Sequence, residues 1–217
     1  MKGIKRLIDA VLDSLFPTGV TCLYCDKEIN DDINGLCFEC ASAMEQNEKF
    51  DASYGERTVY SAFSYNGLAR KIILRAKDSD APHLTRPMAK YIAELYKIIG
   101  KGCDCIAYVP CSKSNLRKRG YDHMKHTATF LSEELELPVA NALKRVGKAH
   151  DQTDVNIEDR KRNVENAFVC DKKEKIIGKR VLLIDDLVTT GATMNACAAA
   201  LSQANPKEIL CFTFARA

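Results

Sequence analysis

The chain has 217 residues, 46% of them hydrophobic and 28% charged, with ten cysteines and no tryptophan. That apolar share excludes wholesale disorder, and the length suits one domain with a small appended module. Lys and Arg number 32 against 29 Asp and Glu, and the resulting +3 is too near neutral to argue for nucleic acid by bulk charge. No apolar run approaches the roughly 18 residues of a membrane span.

Over residues 1–18, Ile4, Leu7, Ile8, Val11, Leu12, Leu15 and Phe16 recur by threes and fours, with Lys5, Arg6, Asp9 and Asp13 between them. This spacing predicts an amphipathic helix. A secretory leader needs an unbroken apolar stretch followed by small residues, so the expectation is a cytoplasmic protein.

Cys22-Leu-Tyr-Cys25 and Cys37-Phe-Glu-Cys40 follow within residues 19–45, two C-x2-C pairs separated by eleven residues. Four thiolates presented in two such pairs suit a closed tetrahedral site, which predicts a structural zinc ribbon. Asn34-Gly35 supplies a tight turn before the second pair. A redox pair, an iron–sulfur site and disulfides are the alternatives, and they fit a cytosolic chain with paired spacing less well. Cys170, Cys197 and Cys211 lie in apolar stretches and read as small core residues. Cys103-Asp104-Cys105 reads blandly as the approach to a strand.

Residues 50–217 alternate between two periodicities. Residues 57–65 predict a strand, Asn66-Gly67 a turn, and 68–77 and 85–99 helices. Residues 106–109 form a short apolar strand ended by Pro110, and 122–136 a helix stopped at Leu137-Pro138. Val181 to Ile184 is a continuous apolar run, as in a strand buried on both faces. An Ala-rich helix over 193–204 and a strand over 209–214 complete the series. The fold class expected is α/β, a parallel sheet with helices on both faces.

The segment Val181-Leu-Leu-Ile-Asp-Asp-Leu-Val-Thr-Thr-Gly-Ala-Thr193 carries the chemistry. A buried strand runs into two carboxylates, then a hydroxyl-rich turn with Gly191, then the start of a helix. Backbone N–H groups, the Thr189, Thr190 and Thr193 hydroxyls and the helix dipole together suit a phosphate dianion. Carboxylates at the C-terminal end of such a strand sit where open α/β sheets bind ligands, and they accept hydrogen bonds from a diol. An Asp pair before a cap is also simply a good helix start, but that leaves two adjacent carboxylates desolvated without a partner.

This run resembles the phosphoribosyl diphosphate (PRPP) signature of type I phosphoribosyltransferases. The four-Cys module, Tyr65-Asn-Gly-Leu-Ala-Arg-Lys71 leading to Lys77, Tyr108-Val-Pro110 and Leu116-Arg-Lys-Arg-Gly-Tyr121 narrow the resemblance to the ComF family of competence-associated proteins. Gln152, Arg160-Lys-Arg-Asn-Val-Glu-Asn-Ala-Phe168 and the ending Phe214-Ala-Arg-Ala217 add to it, so that it covers nearly the whole chain. Asp122-His123 stand where that family commonly has Asn-Gln, and Cys111 where an aliphatic residue is usual.

The resemblance implies a type I phosphoribosyltransferase-like domain behind the zinc ribbon. It implies Asp185 and Asp186 as the ribose-contacting, catalytic pair and Thr189, Thr190, Gly191, Ala192 and Thr193 as the 5′-phosphate loop. Cys111, Ser112 and Lys113 correspond to the pyrophosphate loop, with Cys111 serving through its backbone and not as a nucleophile. Mg²⁺ is expected to arrive with PRPP, held mainly by ligand oxygens. Basic residues bracket this locus, and their clustering singles out Arg117, Arg119, Arg145 and Arg160. The aperiodic stretch 147–159 reads as a lid containing His150 and Gln152. His83, His123 and His126 read as surface or packing residues.

Two functions follow. The family implies a DNA-handling protein of natural transformation, working on incoming single strands with a competence helicase. The fold alone implies a nucleotide-salvage phosphoribosyltransferase, although the chain's end after its last strand leaves only the zinc module and residues 50–100 to cover the ribose. Tyr54, Tyr60, Phe63 and Tyr65 among Arg70, Lys71, Arg75 and Lys77 offer a stacking surface for single strands, or equally a strand core beside a wet helix.

Overall fold

The Val181–Ile184 run opens an inner strand of a five-stranded sheet in the computed structural model, which describes residues 21–22, 25–29, 35–44, 50–78, 85–100, 102–146 and 167–217. The helix expected over 1–18 and the lid over 147–159 lie outside the described residues, as do Asn34, His83 and Arg160. The chain divides into two units between Met44 and Glu45.

The strands of the sheet are β1 (Asp51–Tyr54), β2 (Arg57–Ser64), β3 (Cys105–Tyr108), β6 (Arg180–Val188) and β7 (Glu208–Arg216). Their order is β1-β2-β7-β6-β3, with every pairing parallel except β1 with β2. Two short strands, β4 (Leu143–Arg145) and β5 (Phe168–Cys170), form a separate antiparallel ribbon.

Register sorts the side chains into two layers, because alternate residues of a strand face opposite ways. Val59, Cys211, Leu183 and Ala107 lie in one row across the sheet. They pack into a single cluster with Met194, Cys197, Ala198 and Leu201 of helix α6 (Ala192–Ser202). The next row, with Phe212 and Ile184, turns to the other face. There Tyr96 and Tyr91 of α3 (Thr85–Ile99) meet Phe212 and Phe214 at ring separations of 5.9 and 6.1 Å. Helix α5 (His123–Leu135) packs on α3 and on β3 and β6. Helices therefore cover both faces, as α/β layering requires. Cys170, Cys197 and Cys211 are buried in the core as small apolar residues.

The structure departs from the sequence reading in several places. β6 does not stop at Ile184 but runs on to Val188, because its ladder with β7 continues through Asp185↔Thr213 and Leu187↔Ala215. Both aspartates thus lie within a strand. β1, the β4–β5 ribbon and helix α4 (Lys113–Arg119) were not anticipated; they are short or polar, and no apolar period marks them. Of the four aromatics in that stretch, two take the strand-core alternative: Phe63 is buried against Tyr91 at 4.9 Å and Phe214 at 5.3 Å, and Tyr60 leans on Phe212 at 5.0 Å.

Candidate functional site

In the N-terminal unit, the Sγ atoms of Cys22, Cys25, Cys37 and Cys40 all lie within 4.8 Å of one another, and Cys25 and Cys37 are 3.9 Å apart. Tetrahedral bonds of about 2.3 Å to a metal place thiolate sulfurs about 3.8 Å apart, so this donor set fits a closed four-thiolate ion site. The two pairs reach it differently. Around the first, Cys22 N–H donates to the Lys27 carbonyl (2.7 Å) and Asp26 N–H to the Cys22 carbonyl (2.9 Å), with Asp26 in the left-handed region. Cys37 instead caps a short helix, α1 (Phe38–Ser42), and Cys40 lies one turn inside it, so a helical step of three brings their sulfurs to one side. The second half of the expected ribbon is therefore a helical turn.

In the larger unit two of the candidate segments, residues 185–193 and 111–113, lie at or just beyond the C-terminal ends of β6 and β3. Asp185 and Asp186 project to opposite faces of the sheet, following the strand's alternation. Asp186 is buried on the α5 side, where its Oδ2 accepts from Lys77 Nζ (2.7 Å) and His123 Nε2 (2.6 Å). Asp185 lies on the α6 side, where its charge helps to push the Cys197 thiol up after burial has done most of the work. Asp185 Oδ1 accepts the backbone N–H of Asp186 (2.9 Å). One oxygen of each carboxylate thus makes no hydrogen bond among the described residues.

Their electrostatics diverge accordingly. Burial and the adjacent Asp186 charge push the Asp185 carboxyl well above its usual range. For Asp186, burial acts upward but is overcome by the hydrogen bond from His123 and the charge of Lys77, which hold it below its ordinary value. An added cation near this pair would relieve that repulsion, and carboxylate oxygens are hard donors of the kind that suits Mg²⁺.

After Val188 the chain turns through exposed Thr189 and Thr190 into α6. Gly191 holds this turn at φ +75°, and a Cβ there would lie 2.5 Å from the Cβ of Tyr54, so both its freedom and its small size are required. Asn195 Nδ2 donates to the Tyr54 carbonyl (3.1 Å), fixing the β1–β2 edge beside the loop. Ala192 and Thr193, half-buried, begin the helix.

The second loop leaves β3 beside β6, where Val109 N–H donates to the Ile184 carbonyl (3.0 Å). Cys111 N–H donates to Asp122 Oδ2 (3.1 Å), so that amide is already engaged by a carboxylate of the protein itself. The Cys111 thiol is pushed up to about 11 by burial and by Asp122, which keeps it protonated and non-nucleophilic at neutral pH. Ser112 caps α4 by accepting from Asn115 N–H, and Lys113 is exposed.

The turn after α4 organises the rest. Gly120 ends the helix in the left-handed conformation. The Tyr121 hydroxyl lies 2.6 Å from the Ala76 carbonyl and 3.0 Å from that of Asp78, clamping the turn that presents Lys77. Asp122 caps α5 while holding Cys111, and His123 reaches Asp186. His123 is thus a buried neighbour of the site and not a surface or packing residue. Lys77, Tyr54 and Tyr121 stand in the sequence only as parts of other patterns, and long-range contacts bring them here. Arg119 stands near this cluster through His123, at 3.4 Å. Arg117 is exposed on α4. Arg145 stacks its guanidinium 5.4 Å over the Phe168 ring in the β4–β5 ribbon.

Residues 126–217 match the family model of the phosphoribosyl transferase domain. The chain is 33% identical over 116 residues to Competence protein F of Haemophilus influenzae, a match that takes in 52% of this chain and 51% of the relative. The chain is thus similar to Competence protein F over about half its length and to the phosphoribosyl transferase domain over residues 126–217. It spans about half the length of the curated relative that it matches. Among solved structures, the allosteric regulatory enzyme of purine biosynthesis aligns with 60% of this chain and 26% of its own, at 17% identity and TM-score 0.43. Glutamine PRPP amidotransferase from B. subtilis aligns with 62% and 25%, at 18% identity and TM-score 0.40.

Proposed function

We propose that the α/β unit binds Mg²⁺-PRPP at the C-terminal end of β6. The observation that carries this reading is the passage from the Asp185–Asp186 pair through the Gly191 turn into α6, inside the segment that matches the phosphoribosyl transferase domain. One free oxygen on each aspartate suits the ribose diol and the Mg²⁺ that accompanies it, and residues 189–193 suit the 5′-phosphate. Ser112 and Lys113, beside β6, suit the diphosphate. When bound, Mg²⁺ neutralises the diphosphate leaving group. A structural zinc at Cys22, Cys25, Cys37 and Cys40 completes the cofactor set.

The biological role we assign is the handling of incoming single-stranded DNA in natural transformation, in the cytoplasm and alongside a competence helicase. Supporting it are the name of the relative and helix α4, whose Lys113, Arg117 and Lys118 are all exposed. Among the described residues no helix is long and apolar enough to cross a membrane. The alternative is a salvage-type transferase that displaces pyrophosphate from the ribose C1, which the same site chemistry favours.

The test is thermal unfolding with PRPP and Mg²⁺. Ligand that binds only the folded state raises the melting temperature, by about 2.7 kcal/mol of stabilisation at a hundredfold excess over Kd. Asp185→Asn with Asp186→Asn is expected to abolish the shift. A shift that survives in that double variant refutes the site, and pyrophosphate release on adding a nucleobase favours the transferase.

A further inference from the structure

The half-buried Asp122 carboxylate divides its two oxygens between two elements. Oδ1 accepts from Met124 N–H (3.1 Å) and Lys125 N–H (3.2 Å) at the start of α5, the ordinary work of an N-cap. Oδ2 accepts from Cys111 N–H (3.1 Å), in the loop that leaves β3. A cap needs one oxygen, so this second contact serves the loop and not the helix. It also brings a negative charge to the place where an anion would meet the loop. Burial pushes the Cys111 thiol up to about 11 and the Asp185 carboxyl well above its usual range, and Asp122 adds to both. Its field therefore reaches both segments of the site. The nearby cations are committed elsewhere. Lys77, on the turn after α2 (Gly67–Arg75), is bonded to Asp186, and Arg119 Nη1 lies 3.4 Å from His123 Nδ1.

We propose that Asp122 is an internal competitor of the diphosphate: its carboxylate holds the Cys111 amide in the ligand-free protein and gives it up when the diphosphate binds. The proposal rests on the PRPP reading of the site and determines how tightly that site binds. Phosphate oxygens accept the same N–H, so the amide exchanges one acceptor for another. The repulsion between carboxylate and ligand remains after the exchange, and it weakens binding.

Two substitutions separate the cap from the competitor. Asparagine keeps an amide oxygen for α5, but its uncharged NH₂ cannot accept from Cys111. Serine also caps, carries no charge and places its oxygen one atom closer to the backbone. Isothermal titration compares wild type, Asp122→Asn and Asp122→Ser, first with PRPP and Mg²⁺ and then with inorganic pyrophosphate and Mg²⁺. Both variants are expected to bind each ligand about fivefold or more tighter than wild type. Equal or weaker binding in a variant that keeps the wild-type melting transition overturns the proposal. Amide hydrogen exchange of the ligand-free proteins tests the contact itself: exchange at Cys111 is expected to quicken about tenfold or more in both variants. An unchanged rate overturns the proposal whatever the ligands do. Tighter pyrophosphate binding in the variants, with no PRPP binding by any of the three proteins, sustains the competition and refutes the PRPP reading.

Discussion

Among the described residues of the N-terminal unit, the buried apolar side chains are Cys22, Leu36, Cys40 and Met44, and two of these are sulfur donors of the cysteine cluster. The α/β unit has a two-sided core, with Leu183 and Cys211 on one face and Phe212 and Phe214 on the other. The difference shows how a site can be held. Among the described residues of the first unit the cysteine cluster and the core share atoms, so a metal bound there would contribute to the folding energy. In the second the core is independent, and the site stands at its edge, free to bind and release a ligand.

Removing one sulfur donor breaks this comparison most severely. Cys25→Ser is expected to lose the metal, about one ion per chain by elemental analysis, and to unfold the N-terminal unit while the α/β unit keeps its melting transition. Full zinc occupancy in a Cys22→Ser/Cys25→Ser variant contradicts the assignment.

A smaller effect is expected where the second unit's core meets its loop. Gly191→Ala forces a left-handed alanine against Tyr54 and is expected to cost about 2 kcal/mol and to weaken PRPP binding. Adding Tyr54→Ala should recover part of that loss in a double-mutant cycle, which strict additivity would contradict. The smallest effect belongs to the exposed basic helix. Replacing Lys113, Arg117 and Lys118 together by alanine is expected to change stability by no more than about 0.5 kcal/mol each. It should flatten the salt dependence of single-strand binding by up to about three phosphate contacts. An unchanged slope places DNA elsewhere or nowhere. Arg119 is left out of this set because, unlike these three, it is half-buried and lies against His123.

The features legible in the sequence are those carried by local pattern. Helix 85–99, helix 122–136 and the 181–184 strand announce themselves by apolar period, and the cysteine quartet by spacing. The candidate loop at 189–193 announces itself by a Gly among hydroxyls after a buried strand. Long-range pairing hid the rest. His123 and Asp186 are 63 residues apart, Tyr121 and Ala76 are 45 apart, and Gly191 meets a tyrosine from the opposite edge of the sheet. Nor did adjacency in sequence reveal that Asp185 and Asp186 face opposite layers, because that follows from β6 continuing as a strand beyond Ile184. The β4–β5 ribbon has three residues on each side, too few for any period to be read.

The central claim, that the end of β6 is a PRPP site, is tested most directly by a crystal structure of the wild-type protein with PRPP and Mg²⁺. The account predicts ribose hydroxyls within hydrogen-bond distance of Asp185 and Asp186, the 5′-phosphate on the backbone of residues 190–193, and Lys77 still bound to Asp186. PRPP bound away from the two aspartates, or a phosphate held elsewhere while Thr189 to Thr193 face solvent, would contradict it.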